Sequence, residues 1–223
     1  MTRIEQWDRA VPAFSDDRLL LVETEHRVAN EISAALAAMH LVRSAKGVNS
    51  KRRMLDEAVE RLEGFAVVHR LLSVKPAQIV DVGRDLESLC TALARSRYSA
   101  SGSRMDLDLP SIRIDGATGR RLMVVASELI TNSIRYALEA QGGVLTVSLS
   151  VTGSNVYLKI ADDGPGIDPS SAAKGTGIGT PLVGELVHRA GGRLLRQTGP
   201  DGTRIQVGLP FDAALVGRAR QKG

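Results

Sequence analysis

"ADDGPGI" at residues 161–167 and "KGTGIGTPLV" at 174–183 decide how this chain is read. The first ends an alternating run, "NVYLKIA", that reads as a β-strand, and the second opens a helix. Gly164 and Gly166 let the backbone turn sharply and approach a ligand with no Cβ in the way. Gly175, Gly177 and Gly179 lead to Thr180, a fitting N-cap, and Pro181, a favoured first helical residue. A glycine loop feeding a helix N-terminus offers free N–H groups and partial positive charge to an anion such as a polyphosphate. Taken alone, a plain glycine-rich turn explains these residues equally well.

A second stretch, "SELITNSIRY" (127–136), supplies what the glycines lack. Glu128 and Asn132 are four residues apart and share one helical face. On its own such a pair is an ordinary surface pair. A hard cation bridging phosphates, however, takes oxygen ligands of this type. Arg135 and Tyr136 extend the strip with a charge suited to phosphate and a ring suited to stacking.

The flanking elements are those of a sheet covered by helices. "VLTVSLSV" and "NVYLKIA" around "TGS" form a hairpin, as do "GRLLRQT" and "TRIQVGL" around "GPDG". "RMDLDL" (104–109) reads as a strand whose edge "SIRI" continues. Helices are expected over "DVGRDLESLCTALARSR", capped by Asp81, over 119–138, and over about 181–190. Helices and mainly antiparallel strands in this order make an α+β sandwich.

The first third of the chain has another texture. From about Asp16 to Ser44, Val22, Ala29, Ile32, Leu36 and Met39 form a heptad-like stripe, with Ser15 or Asp16 as cap. That helix has about 29 residues and spans about 43 Å at ~1.5 Å per residue. "KGVNS" breaks it, and a second helix runs from Lys51 to about Ser73, striped by Leu55, Ala58, Leu62, Phe65 and Leu72. Val28, Ala35 and Val42 form a second stripe that one hairpin leaves uncovered, so two copies are expected to build a four-helix bundle, a homodimer. The expected domains are a helical hairpin at 15–75 and an α/β sandwich at 78–212.

Bulk properties remove several classes. The 223 residues are 43% hydrophobic, 24% charged and only 3% aromatic, with a formal net charge of +4. The basic residues are dispersed, with no aromatic-laced basic run for nucleic acid. No membrane span is expected, and the acidic first twenty residues are wrong for a signal peptide. Cys90, the one cysteine, reads as a core residue in a reducing, cytoplasmic compartment.

Three blocks in order, "ELITN", "DDGPG" and "GTGIG", resemble the N box and two glycine boxes of the gyrase, chaperone, histidine kinase and mismatch-repair ATPases, the Bergerat fold. "GPDGTRIQVGLP" is similar to that family's closing Gly-Thr hairpin, and "EHRVAN" to the phosphoacceptor box of histidine kinases whose histidine is followed by Arg. The resemblance implies a protein-histidine kinase using ATP and Mg²⁺, with His26 as phosphoacceptor and the receiver domain of a response regulator as partner.

It also implies individual roles. Asp162 accepts from the adenine amino group, Thr203 supports that pocket, and Asn132 ligates Mg²⁺, with Glu128 as a second metal-orienting group or the general base. Arg135 reaches the phosphates and Tyr136 packs on adenine. Gly164, Gly166, Gly175, Gly177 and Gly179 shape the lid, and Lys174 contacts the γ-phosphate. Glu25 is a second candidate base, and Asn30 a residue that positions water for phosphatase activity. His40, His69 and His188 read as structural.

Some positions depart from the pattern. Ser127 stands where one branch has histidine, that branch's Trp-x-Glu is missing, and Thr180-Pro181 replaces leucine-serine. About fifteen residues precede the first helix, so input is expected from a separate sensor protein, unless the chain is a fragment. Two other readings compete: a phosphotransfer or scaffold protein with a non-catalytic ATPase-like domain, and an ATP hydrolase or serine kinase of the same fold.

Overall fold

The computed structural model describes residues 3–6, 28, 32–33, 35–37, 39–44, 46–72, 78–97, 103–138, 142–166 and 179–213. The described residues between 28 and 44 are helical, and Gly47, at φ +92°, makes the break. Helix α1 (Val48–Leu72) then starts three residues before the expected Lys51. The remaining elements are β1 (Arg3–Gln6), β2 (Ile79–Asp81), α2 (Val82–Arg97), β3 (Ser103–Asp108), β4 (Arg113–Asp115) and α3 (Gly116–Ser133). A π-helical turn (Ile134–Leu138) continues α3, followed by β5 (Gly143–Thr152), β6 (Asn155–Asp162), α4 (Gly179–Arg189), β7 (Arg193–Gly199) and β8 (Gly202–Pro210).

Six strands form one sheet in the order β1-β7-β8-β6-β5-β3. All neighbours are antiparallel except β3 and β5, which run parallel. The strands follow from period-two patterning: Leu145, Val147 and Leu149 are buried while Thr146 and Ser150 are exposed. The buried face meets Leu86, Leu89 and Leu93 of α2, Leu122, Met123 and Ile130 of α3, and Leu186 of α4. This layer of helices on one side of the sheet is the expected α+β sandwich. Cys90 lies inside it, and burial pushes its thiol up to about 12, which fits an inert core residue.

Three expectations need correction. "SIRI" does not extend the β3 edge, because Arg113–Asp115 pairs instead with Ile79–Asp81 in a separate two-stranded sheet. Pro110 lies between the two segments and has no N–H to carry a ladder onward. Helix α3 starts at Gly116 rather than Gly119, since Asp115 caps it by accepting from the Thr118 N–H at 2.9 Å. Helix α4 already includes Gly179, which puts Thr180 inside its first turn rather than at its cap.

The helical part presents two kinds of surface. The outward stripe is the reverse of the expected one: Val28, Ala35 and Val42 are half-buried, whereas Ile32 (53%) and Leu36 (58%) are exposed, as is Met39. On α1, Ala58 is buried and Val67 packs against the sandwich core, while Leu55, Val59 and Leu62 are exposed at helical spacing.

Asp81 joins β2 to α2. Its Oδ1 accepts from the N–H groups of Gly83 (3.1 Å) and Arg84 (3.3 Å), and its Oδ2 from the Ser111 hydroxyl (2.6 Å). Burial raises the carboxyl, but the Ser111 bond and the backbone bonds outweigh it and hold the group below its usual range. A depressed carboxylate contributes stability that is present above its unfolded pKa and lost as pH falls through its folded one. Asp81→Ala should therefore cost about 1 kcal/mol at neutral pH. The gap to the parent in denaturant titrations should close below about pH 4.

Candidate functional site

Strand β6 ends inside the protein on a carboxylate. Asp162 is 8% exposed, at the point where β6, β8 and the end of α3 converge. A carboxylate in such a place must be hydrogen-bonded or neutralised. Asp162 Oδ2 accepts from the Ser133 hydroxyl at 2.9 Å. Its Oδ1 accepts from the Thr203 N–H at 3.1 Å and the Gly164 N–H at 3.3 Å. Three donors leave part of the roughly four-site acceptor capacity of a carboxylate for one more N–H, such as an exocyclic amine.

The charge is still costly. Burial raises the Asp162 carboxyl above its usual range, and the neighbouring Asp163 adds to the rise, against the bonds from Ser133, Thr203 and Gly164. Thr203 is buried and shares a hydroxyl–hydroxyl bond of 3.2 Å with Thr198 on the adjacent strand β7. Asp163 turns the other way, accepting from the Val144 N–H at 2.7 Å and anchoring the start of β5.

Two glycines hold the walls close. A Cβ on Gly164 would sit inside the van der Waals shell of Ala137 in the π-helical turn. Gly202, at φ +111°, lies against the Asp162 carbonyl, where no side chain fits. Gly166, at φ +75°, meets the Gly199 carbonyl in the same manner. The glycine spacing thus reflects backbone packed on backbone around Asp162.

Helix α3 contributes the adjoining wall. Glu128 and Asn132, one turn apart, are both half-buried. Both side chains carry oxygen, the ligand type that Mg²⁺ takes, and Mg²⁺ keeps several waters and needs only one or two protein oxygens. No cluster of three or more His, Cys, Asp or Glu able to hold a metal occurs among the described residues. Arg135 and Tyr136 fall in the π-helical turn, exposed, with the guanidinium carbon 5.3 Å from the ring centroid. A π turn inside a helix often accompanies a functional site.

The structure brings together Asp162, Thr203 and Gly164, with Gly166 packed on the adjoining Gly199; Glu128 and Asn132 lie on α3, which also carries Ser133. His26, Glu25, Asn30, Lys174, Gly175 and Gly177 lie outside the described residues, and Gly179 is described as the first residue of α4. Sequence reasoning missed Ser133, whose hydroxyl carries a direct bond to the central carboxylate, and Gly202. A small polar residue closing an apolar helix is the one signal Ser133 offered.

Two stretches match known families. Residues 117–213 match the histidine kinase-, DNA gyrase B- and HSP90-like ATPases, and residues 23–97 match a histidine kinase family. The chain is similar to the C4-dicarboxylate transport sensor protein DctB of Rhizobium meliloti, at 30% identity over 52% of this chain and 21% of that protein. It is also similar to the sensor histidine kinase PdtaS of Mycolicibacterium smegmatis, at 26% identity over 84% of this chain and 38% of that one. The chain therefore spans well under half the length of these curated relatives. The solved histidine kinase domain of the Erythrobacter litoralis EL346 blue-light activated histidine kinase superposes with a TM-score of 0.59 at 20% identity. That match covers 90% of this chain and 94% of the other, and it shows a shared fold.

The raised Asp162 carboxyl has a testable consequence. A group whose folded pKa is raised is a burden above that pKa and none below its unfolded value. Asp162→Asn keeps an acceptor for Thr203 and Gly164 and lets the Ser133 hydroxyl rotate to accept. Its thermal midpoint should equal or exceed the parent's at pH 7, with any gain vanishing below about pH 4. A large drop at pH 7 would show that the charge itself holds the fold.

Proposed function

We propose that this chain is a histidine kinase that phosphorylates itself on His26 from ATP, a reading supported by the family matches at 23–97 and 117–213. It would then pass the phosphoryl group to an aspartate on the receiver domain of a response regulator. The observation that carries the nucleotide half is the buried Asp162 carboxylate, held by Ser133, Thr203 and Gly164 with acceptor capacity left over. A carboxylate accepts and does not donate, so it selects a base edge that offers an amine, as adenine does. A scaffold that binds no nucleotide would have no use for a charge buried at this cost.

The division of labour follows from the chemistry. Thr203 and Ser133 fix Asp162, while Tyr136 packs on adenine and Arg135 reaches the phosphates. Gly164, Gly166, Gly175, Gly177 and Gly179 shape the lid, with Lys174 on the γ-phosphate. Asn132 would hold Mg²⁺, which when bound neutralises phosphate charge. The His26 ring nitrogen forms a bond to the γ-phosphorus as the bond to the bridging oxygen breaks, and ADP departs with that electron pair. Glu128 takes the ring proton, and an unperturbed imidazole pKa near ~6.5 keeps the nucleophile largely neutral at about pH 7. Asn30, one turn after His26, would position water against a phosphorylated partner.

The hairpin at 15–75 serves dimerisation and phosphotransfer, and the sandwich at 78–212 binds ATP. The exposed stripes Ile32, Leu36, Met39 and Leu55, Val59, Leu62 support pairing with a second copy. No described helix is long and apolar enough to cross a membrane. We place the chain in the cytoplasm, with its signal supplied by a separate sensor or by further chain.

Incubation with γ-labelled ATP and Mg²⁺ should leave protein label that acid removes and base does not. Glu128→Ala should keep ATP binding and lose label formation by roughly a hundredfold or more. Acid-stable label would overturn phosphohistidine chemistry, and full activity in the variant would remove Glu128 as the base.

A further inference from the structure

The sheet does not end where the ATP-binding sandwich ends. Strand β7 would be its outer edge, yet residues Arg3–Gln6 pair along it antiparallel, with Arg3 opposite Thr198 and Gln6 opposite Leu195. These residues precede the segment that carries His26, so the sheet binds the nucleotide domain to the chain upstream of the phosphoacceptor. An uncovered edge strand presents unpaired N–H and C=O groups and is a template for another strand.

The docking place bears on the site. The residue opposite Arg3 is Thr198, whose hydroxyl bonds to that of Thr203, whose N–H in turn bonds to Asp162. Two residues past Thr198 the Pro200–Asp201 turn begins, flanked by the paired Gly199 and Gly202, which pack against Gly166 and Asp162. Whatever fixes β7 therefore braces the wall of the pocket. A strand of four residues adds only a few backbone hydrogen bonds, each a modest net contribution. It is strong enough to order β7 and weak enough to be displaced.

We propose that residues 3–6 are an intramolecular strap on the β7 edge, a releasable brace that couples the upstream segment to the nucleotide pocket through Thr198, Thr203 and Asp162. By linkage, occupancy of the pocket favours the docked strap, and pulling the strap away weakens nucleotide binding by the same factor. The strap itself is independent of what the pocket binds; only the coupling rests on the nucleotide reading.

The test compares amide hydrogen exchange in the full chain with that in a chain lacking residues 1–8. The buried apolar core among the described residues runs from Ala58 to Leu209. Ile4→Pro and Glu5→Pro provide a check within the full chain, because alternate residues of an antiparallel strand face the partner and one of the two must remove an amide that β7 uses. Without the strap, the amides of residues 195–198 should exchange about tenfold faster in nucleotide-free protein. The dissociation constant for Mg-ATP should rise about threefold or more. Unchanged exchange at β7 would overturn the strap. Protection that disappears on dilution would assign the strand to a second copy and overturn the intramolecular claim. Faster exchange with unaltered ATP affinity would overturn the coupling. No ATP binding even by the full chain would overturn the pocket reading and the coupling with it, leaving the exchange result to decide the strap alone.

Discussion

One buried negative charge organises this protein. Asp162 stands at the end of a central strand, where burial opposes its ionisation, and the surrounding structure is arranged to satisfy it. Ser133 reaches it from the end of α3, Thr203 from the adjacent strand, and Gly164 from its own turn. An apolar residue there would have made a more comfortable core. The charge makes sense as half of an interaction whose other half arrives with a ligand, and three donors leave an acceptor site for it.

The same constraint explains the glycines. Gly164 admits the π-helical turn at Ala137, and Gly202 admits the close passage of the β7–β8 turn over the Asp162 backbone. A methyl group at either position would push a wall away from the carboxylate. Glycine boxes are usually read as lids for phosphate, and the one around Asp162 also serves as the joint that lets three elements meet at one side chain.

Much of this was legible in the sequence because it rests on local rules. Alternation gave away β5, β6, β7 and β8, and the Asp81 cap and the Gly47 break follow from single residues. The Glu128–Asn132 pair was read from its four-residue spacing, and Asp162 was picked out by the family resemblance, while its burial appears only in the fold. The remainder depends on pairing across distance. β4 reads as an extension of β3 until Pro110 is seen to separate them, and its partner β2 is only three residues long. β1 has no stripe of its own and exists because β7 offers an edge. Ser133 was missed because a serine at a helix end is commonplace, and its role appears only once β6 lies beside it. The π turn that holds Arg135 and Tyr136 cannot be read from periodicity, which assumes a regular helix.

On the proposed reading, the helical segment and the sandwich act on one nucleotide. α1 rests on the core through Ala58 and Val67 while its opposite side stays apolar and exposed, suited to pairing. The account requires that nucleotide held at Asp162 delivers its phosphoryl group to the ring at position 26. The most direct measurement is phosphoryl label on a His26→Gln protein, taken beside its ATP affinity. The account predicts unchanged ATP binding and no acid-labile label. Label equal to the parent's would contradict it.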